Sequence, residues 1–336
     1  MNSFKVFCGR YGQEIAKRVC ADQILNMHLG RCKTDRFSDG EIQIEFEEEV
    51  RGEEVYVIQP LINSDAIVEL GIMVDAACRS SAQSIIAVLP YMGYARQERK
   101  SRPRVPISAK WLVDMLINSG ADRIVTVDLH AAAIQGFVNA RYGFDNLYAG
   151  MAICNFFKDI YERKGINIQK DVFSVAPDNG SAERVRALSD RLGIETRVII
   201  DKRRSMPNDT KLMNVIGKFE KDQRALILDD MLDTASTAVN AAIMLHSLGA
   251  SAVDIGVTHG IISGKAKSRL EQCAVIENIV ITDTYPLTQE RNLDKIHVIS
   301  IAPMLAQAIK NLNRQMSLSV LFDRAPPYLV LQQKKD

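Results

Sequence analysis

Short β-branched runs separated by amphipathic segments recur along this chain, and that alternation limits its possible folds more than any other feature. Val55–Ile58, Ile85–Leu89, Ile124–Val127, Val172–Val175, Val198–Ile200, Leu226–Leu228, Val253–Val257, Ile279–Ile281 and Val298–Ile301 are apolar almost throughout. Between several of them, Ala66–Arg79, Ile107–Ser119, Ala182–Leu192 and Ala238–Leu248 place apolar residues at helical spacing. A strand with no polar face needs cover on both sides, and a parallel sheet flanked by helices supplies it. The pattern predicts an α/β chain.

Length adds a second constraint, since 336 residues exceed one domain of ordinary size. The halves also echo one another. Val55–Ile58, a helix, Ile85–Leu89 and Ile124–Val127 lead to Asp128; Leu226–Leu228, the helix Ala238–Leu248, Val253–Val257 and Ile279–Ile281 lead to Asp283. We expect two similar domains with parallel sheets, 1–149 and 150–305. Residues 306–322 are expected to pack back on the first domain, and 323–336 to form a loose tail.

Composition removes several function classes. Lys and Arg number 42 against 41 Asp and Glu, so the basic excess that nucleic acid or an anionic membrane demands is missing. No apolar run approaches the roughly 18 residues of a membrane span. Met1–Val19 carries Lys5, Arg10, Glu14, Lys17 and Arg18 and no secretory h-region. The six cysteines are scattered, with no CxxC pair. The expectation is a reduced, cytoplasmic chain.

The segment richest in chemistry is Ala225-Leu-Ile-Leu-Asp-Asp-Met-Leu-Asp-Thr-Ala-Ser-Thr237 before the helix Ala238–Leu248. A buried strand delivers Asp229, Asp230 and Asp233. The turn Thr234, Ala235, Ser236 and Thr237 then opens a helix whose N–H groups suit an anion. Carboxylates suit vicinal hydroxyls and a hydrated divalent cation. Together they describe a site for a phosphorylated sugar, and no GxxxxGK[ST] loop occurs elsewhere. A lone Asp pair would mean only a strand end; the fixed order of strand, acidic string and helix makes the segment specific.

That string resembles the phosphoribosyl-pyrophosphate motif shared by type I phosphoribosyltransferases and ribose-phosphate pyrophosphokinases. Thr34-Asp-Arg-Phe-Ser-Asp-Gly-Glu41, Pro90 to Lys100, Pro106 to Lys110, Val127-Asp-Leu-His-Ala131, Ala176-Pro-Asp-Asn179 and Asp201-Lys-Arg-Arg204 resemble the pyrophosphokinases in particular. The resemblance spans residues 4 to 322 and implies two phosphoribosyltransferase-like domains, ATP on the first and ribose 5-phosphate on the second. It implies transfer of a diphosphoryl group from ATP to the 1-hydroxyl of ribose 5-phosphate, with Mg²⁺ as cofactor. By resemblance Lys202 and Arg204 are catalytic, and His130 and Asp178 serve the metal. Phe37, Asp39, Gly40, Glu41, Arg96 and Gln97 bind ATP, and Asp229, Asp230, Asp233 and Thr234 to Thr237 bind the sugar phosphate. A homo-oligomer, usually a hexamer, is implied because the Phe37 loop reaches a neighbouring subunit in the family.

One departure concerns Ser236, which stands where the family normally carries glycine. If that position needs φ > 0, serine is strained there; if not, its hydroxyl gains a phosphate contact. Two other functions remain open at this point: a catalytically silent regulatory subunit, for which Ser236 leaves room, and a phosphoribosyltransferase, which would leave the first-half motifs without a role.

Overall fold

The structure is a computed structural model and describes residues 3–203, 212–323 and 328–331. It divides into two compact units, Met1–Tyr148 with Thr284–Pro286 and Ile301–Pro326, and Ala149–Asp283 with Leu287–Ser300 and Pro327–Asp336.

The first unit runs β1 (Phe4–Cys8), α1 (Gln13–Ala21), a hairpin of β2 (Cys32–Arg36) and β3 (Ile42–Phe46), β4 (Glu54–Ile58), α2 (Ser64–Arg79), β5 (Ser84–Leu89), α3 (Ser108–Ser119), β6 (Arg123–Val127) and β7 (Gly143–Leu147). Its five-stranded sheet has the order β1-β4-β5-β6-β7, every pair parallel. Alternation within β4 shows why a wholly apolar strand is needed. Val55 and Val57 join a buried core with Leu70 and Leu112 of α2 and α3, while the Tyr56 hydroxyl bonds the Ile309 carbonyl on the other side. Asn63 caps α2 by accepting the Ala66 N–H at 2.8 Å.

The second unit continues with α4 (Gly150–Arg163), α5 (Ile168–Asp171), β8 (Val172–Ala176), α6 (Ala182–Leu192), β9 (Arg197–Arg203), β10 (Leu212–Ile216), β11 (Arg224–Leu232), α7 (Ser236–Ser247), β12 (Val253–Gly260), α8 (Ala266–Gln272), β13 (Ile276–Thr282) and β14 (Ile296–Ser300). The chain then re-enters the first unit at Ile301 rather than at 306, because α9 (Ala302–Asn313) begins there and packs on α1. The last strand, β15 (Leu329–Val330), returns to the second unit and pairs antiparallel with β14.

Within 323–336, expected to be a loose tail, the described residues 328–331 are anchored. Tyr328 sets its ring against Phe156 at 5.8 Å and its hydroxyl bonds Asp159, which anchors the strand that follows. Among the described residues, no helix is long and apolar enough to cross a membrane.

The sheet order of the second unit is β10-β9-β8-β11-β12-β13-β14-β15. From β8 the chain moves outward to β9 and β10, then crosses back to place β11 on the other flank of β8. The winding direction thus reverses between β8 and β11. In open α/β sheets such a reversal leaves a crevice beyond the carboxyl ends of the two strands.

Candidate active site

Register brings the acidic residues to that crevice. Ile227 of β11 pairs with Val175 of β8, one residue before β8 ends. Asp229 and Asp230 lie level with the chain just beyond β8, which is where Asp178 stands. The apolar run ends at Leu228, yet the strand continues to Leu232, because β12 goes on pairing with it through Met231↔His259 and Leu232↔Gly260. The two carboxylates are therefore held by a strand, and the turn begins at Asp233.

Within β11, Ile227 joins the core under α7 while Leu226 and Leu228 join the core under α4 and α6. Asp230 falls on the α6 side, is 4% exposed, and has Arg184 of α6 at 3.6 Å. Arg184 also stands 3.9 Å from Asp229. Asp178 is fixed by its own turn, where its carboxylate accepts the Ser181 N–H at 3.1 Å and the Ser181 hydroxyl at 3.2 Å. Burial, and after it the adjacent Asp230 charge, push the Asp229 carboxyl from its ordinary 3.8 up to about 8, with Asp178 adding to the rise. A cluster of this kind calls for positive charge.

The turn after Asp233 ends in a helix without a side-chain cap. Ala235 is the N-cap of α7, at φ 59°, and its side chain makes no cap hydrogen bond. Thr234 is exposed, Asp233, Ser236 and Thr237 are half-buried, and Ala235 is buried. Backbone strain at the turn therefore falls on Ala235, while Ser236 is the first residue of α7.

Ser236→Gly is expected not to lower KM for ribose 5-phosphate and to cost at most about 0.5 kcal/mol of stability. Ala235→Gly is expected to stabilise by about 1 kcal/mol, because glycine adopts the left-handed conformation without the Cβ clash. Thermal melts and steady-state kinetics read both; a tenfold fall in KM for Ser236→Gly would put the strain at Ser236 after all.

Lys202 is described through its backbone. It lies within β9, opposite Met213 of β10, rather than after the strand, because β10 extends the pairing past Ile200. Its neighbour Asp201 accepts a hydrogen bond from Asn179, next to Asp178, at 3.3 Å. Arg204 lies outside the described residues.

The remaining expected residues belong to the first unit. Phe37 sits at the β2–β3 hairpin tip and is 52% exposed. The tip is closed by Phe37 N–H to Glu41 O and Gly40 N–H to Phe37 O, both 2.9 Å, with Gly40 at φ 96°. Asp39 accepts the Glu41 N–H at 3.0 Å. Arg96 and Gln97 are exposed in the loop after β5, and Gln97 is tied to the start of α3 by Ser108 and by the Ala109 N–H. His130 is exposed just past β6. The buried Asp128, at φ 43°, turns the chain outward before it.

The fold thus gathers Asp178, Asp229, Asp230 and Asp233 at one strand-end crevice. The residues expected to bind nucleotide, and His130, lie on elements of the other unit. Arg184, Ser263 and Arg269 also meet the acidic segment, and only the fold reveals them, since a single Arg or Ser far along the chain carries no motif.

Two family models match the chain. Residues 4–120 match the N-terminal domain of ribose phosphate pyrophosphokinase, and residues 203–323 match the phosphoribosyl synthetase-associated domain. The chain is 42% identical over 325 residues to the ribose-phosphate pyrophosphokinase of Corynebacterium ammoniagenes, covering 96% of this chain and 98% of that one. It is 42% identical over 323 residues to that of Rhizobium meliloti, covering 95% and 100%. A crystal structure of phosphoribosylpyrophosphate synthetase from Mycobacterium smegmatis superposes with a TM-score of 0.84 at 34% identity, over 93% of this chain and 99% of that one. Identity at this level across both units, with the acidic strand end and its turn in place, means that the chain belongs to the ribose-phosphate pyrophosphokinase family.

Proposed function

We propose that this chain transfers the diphosphoryl group of ATP to the 1-hydroxyl of ribose 5-phosphate, giving phosphoribosyl pyrophosphate and AMP. The observation that carries the reading is the carboxylate set at the β8/β11 reversal, facing a helix that no side chain caps. Asp229, Asp230 and Asp233 accept from the ribose hydroxyls. The N–H groups and hydroxyls of Thr234, Ser236 and Thr237 take the 5-phosphate, with Ala235 shaping the turn. Phe37 stacks on adenine, Asp39, Gly40, Glu41 and Gln97 contact the nucleotide, and Arg96 approaches its phosphates. Lys202 and Arg204 offset the charge that builds as the α-oxygen leaves.

The donor set fits Mg²⁺. Among the described residues no three His, Cys, Asp or Glu side chains could enclose a metal, yet Mg²⁺ keeps several waters and takes one or two carboxylates plus substrate phosphates. Asp178, at the crevice with Asp229 and Asp230, is the residue of the second unit that would hold it. When bound it neutralises phosphate charge.

A pH signature follows. Folding holds the Asp229 carboxyl above its unfolded value, so the stability gained from its proton is complete below pH about 4 and is lost as pH rises through about 8. A divalent cation at the neighbouring Asp178 would favour the ionised Asp229 carboxylate. Mg²⁺ should therefore raise Tm more at pH 9 than at pH 6, and Asp229→Asn should flatten the difference. Equal Tm increments at both pH values would contradict this.

The deciding experiment incubates purified protein with ATP, Mg²⁺ and ribose 5-phosphate. AMP and phosphoribosyl pyrophosphate should appear in step. No AMP above background at any phosphate concentration would favour the silent regulatory subunit. A cytoplasmic homo-oligomer, hexameric by the same resemblance, completes the proposal; sedimentation finding only monomers would remove that part.

A further inference from the structure

We propose that the loop between β12 and α8, together with α8, is a positioning element for the acidic turn, acting through Ser263 of the loop and Arg269 of the helix, and that it sets the affinity for ribose 5-phosphate. This rests on the reading of Asp233 and Thr234 as sugar-phosphate residues. Ser263 grips Asp233 twice: its hydroxyl donates to Asp233 Oδ1 at 2.5 Å, and its N–H donates to the Asp233 carbonyl at 3.0 Å. One serine thus fixes the backbone and the carboxylate of one residue together. Arg269 of α8 donates to the Thr234 carbonyl at 2.7 Å, which restrains the next residue of the turn.

Strain in the loop points the same way. Ile262, 2% exposed, has φ 48°, a conformation that β-branched residues rarely adopt and keep only where the surroundings over-determine it. The surroundings here are evident. Ile261 and Ile262 both donate their N–H groups to the Leu232 carbonyl, at 3.0 and 2.9 Å, and Arg291 holds the Ile261 carbonyl at 3.2 Å. The left-handed bend at Ile262 is what turns Ser263 back onto Asp233. Two strained residues, Ile262 and Ala235, flank this contact. A flexible carboxylate must be immobilised when it binds sugar; one already held loses less freedom, so affinity rises without any new contact to the ligand.

The experiment compares wild type with Ser263→Ala, Ser263→Thr and Arg269→Gln. KM values for both substrates are measured, with calorimetric binding of ribose 5-phosphate in Mg²⁺ and a non-cleavable ATP analogue. Ser263→Ala should weaken ribose 5-phosphate by about tenfold in KM and Kd, leaving KM for ATP within about twofold and kcat within about threefold. Ser263→Thr keeps the hydroxyl and should recover to within about threefold, and Arg269→Gln should lose about threefold. Unchanged ribose 5-phosphate affinity in a folded Ser263→Ala, or an equal rise in both KM values, overturns the proposal. Wild type that binds ribose 5-phosphate but releases no AMP would sink the catalytic reading alone, because the binding comparison still decides the role of Ser263.

Discussion

Replacing Lys202 with alanine should lower kcat by about two to three decades while KM for ATP stays within about threefold. Position supports so large an effect. Ile199 of β9 pairs with Ala176 at the end of β8, so Lys202 stands just beyond the level at which β8 gives way to Asp178. Asn179 and Asp201 join the two strand ends at 3.3 Å. In the role proposed for it, Lys202 offsets phosphate charge that increases as the bond to the α-oxygen breaks. Such a contact is stronger in the transition state than in the ground state, so its loss appears in kcat. Steady-state and single-turnover rates with ATP and ribose 5-phosphate test it. If ATP affinity falls by the same factor, Lys202 is a ground-state binding residue and the assignment is wrong.

The largest effect on stability is expected at the opposite, amino-terminal end of the strands of the same sheet. Asp254 near the start of β12 has no exposed surface and accepts four hydrogen bonds. Tyr161 donates its hydroxyl at 2.8 Å and Arg224 its guanidinium at 3.0 Å. Asn278 donates its N–H at 3.1 Å and its side-chain amide at 2.7 Å. Burial, reinforced by the Asp254 charge, holds the Tyr161 hydroxyl protonated far above its ordinary range. Asp254→Ala would strand these donors and leave Arg224 with Glu277 alone, 2.9 Å away. The expected loss is about 3–5 kcal/mol, a fall in Tm of roughly 10 °C for a unit of this size. Because the network lies at the amino ends of the strands, kcat at a temperature where the variant is folded should stay within about twofold. A loss below about 1 kcal/mol would mean that water replaces the carboxylate.

Legibility of the fold followed burial. The apolar runs within β4, β5, β6, β8, β11, β12 and β13 stand out in the sequence because those stretches are buried. The β2–β3 hairpin escapes that pattern because Lys33, Asp35, Gln43 and Glu45 alternate with half-buried partners. The extension of β9 to Arg203 escapes it for a different reason: Asp201, Lys202 and Arg203 look like a loop, and only the antiparallel partner β10 makes them a strand. The tail misled in the same way, since two residues become a strand only when β14 offers them an edge.

The acidic string, the two-domain echo and the α/β class were decided by the linear order of residues, because buried strands, turns and helix starts each demand particular side chains locally. Tertiary structure alone decided that Asp178 and Asp229 share a crevice, that strain falls on Ala235 rather than Ser236, and that Ser263 holds Asp233. Those facts depend on which strands become neighbours and at what register, and pairing between residues tens of positions apart leaves no mark on either residue alone.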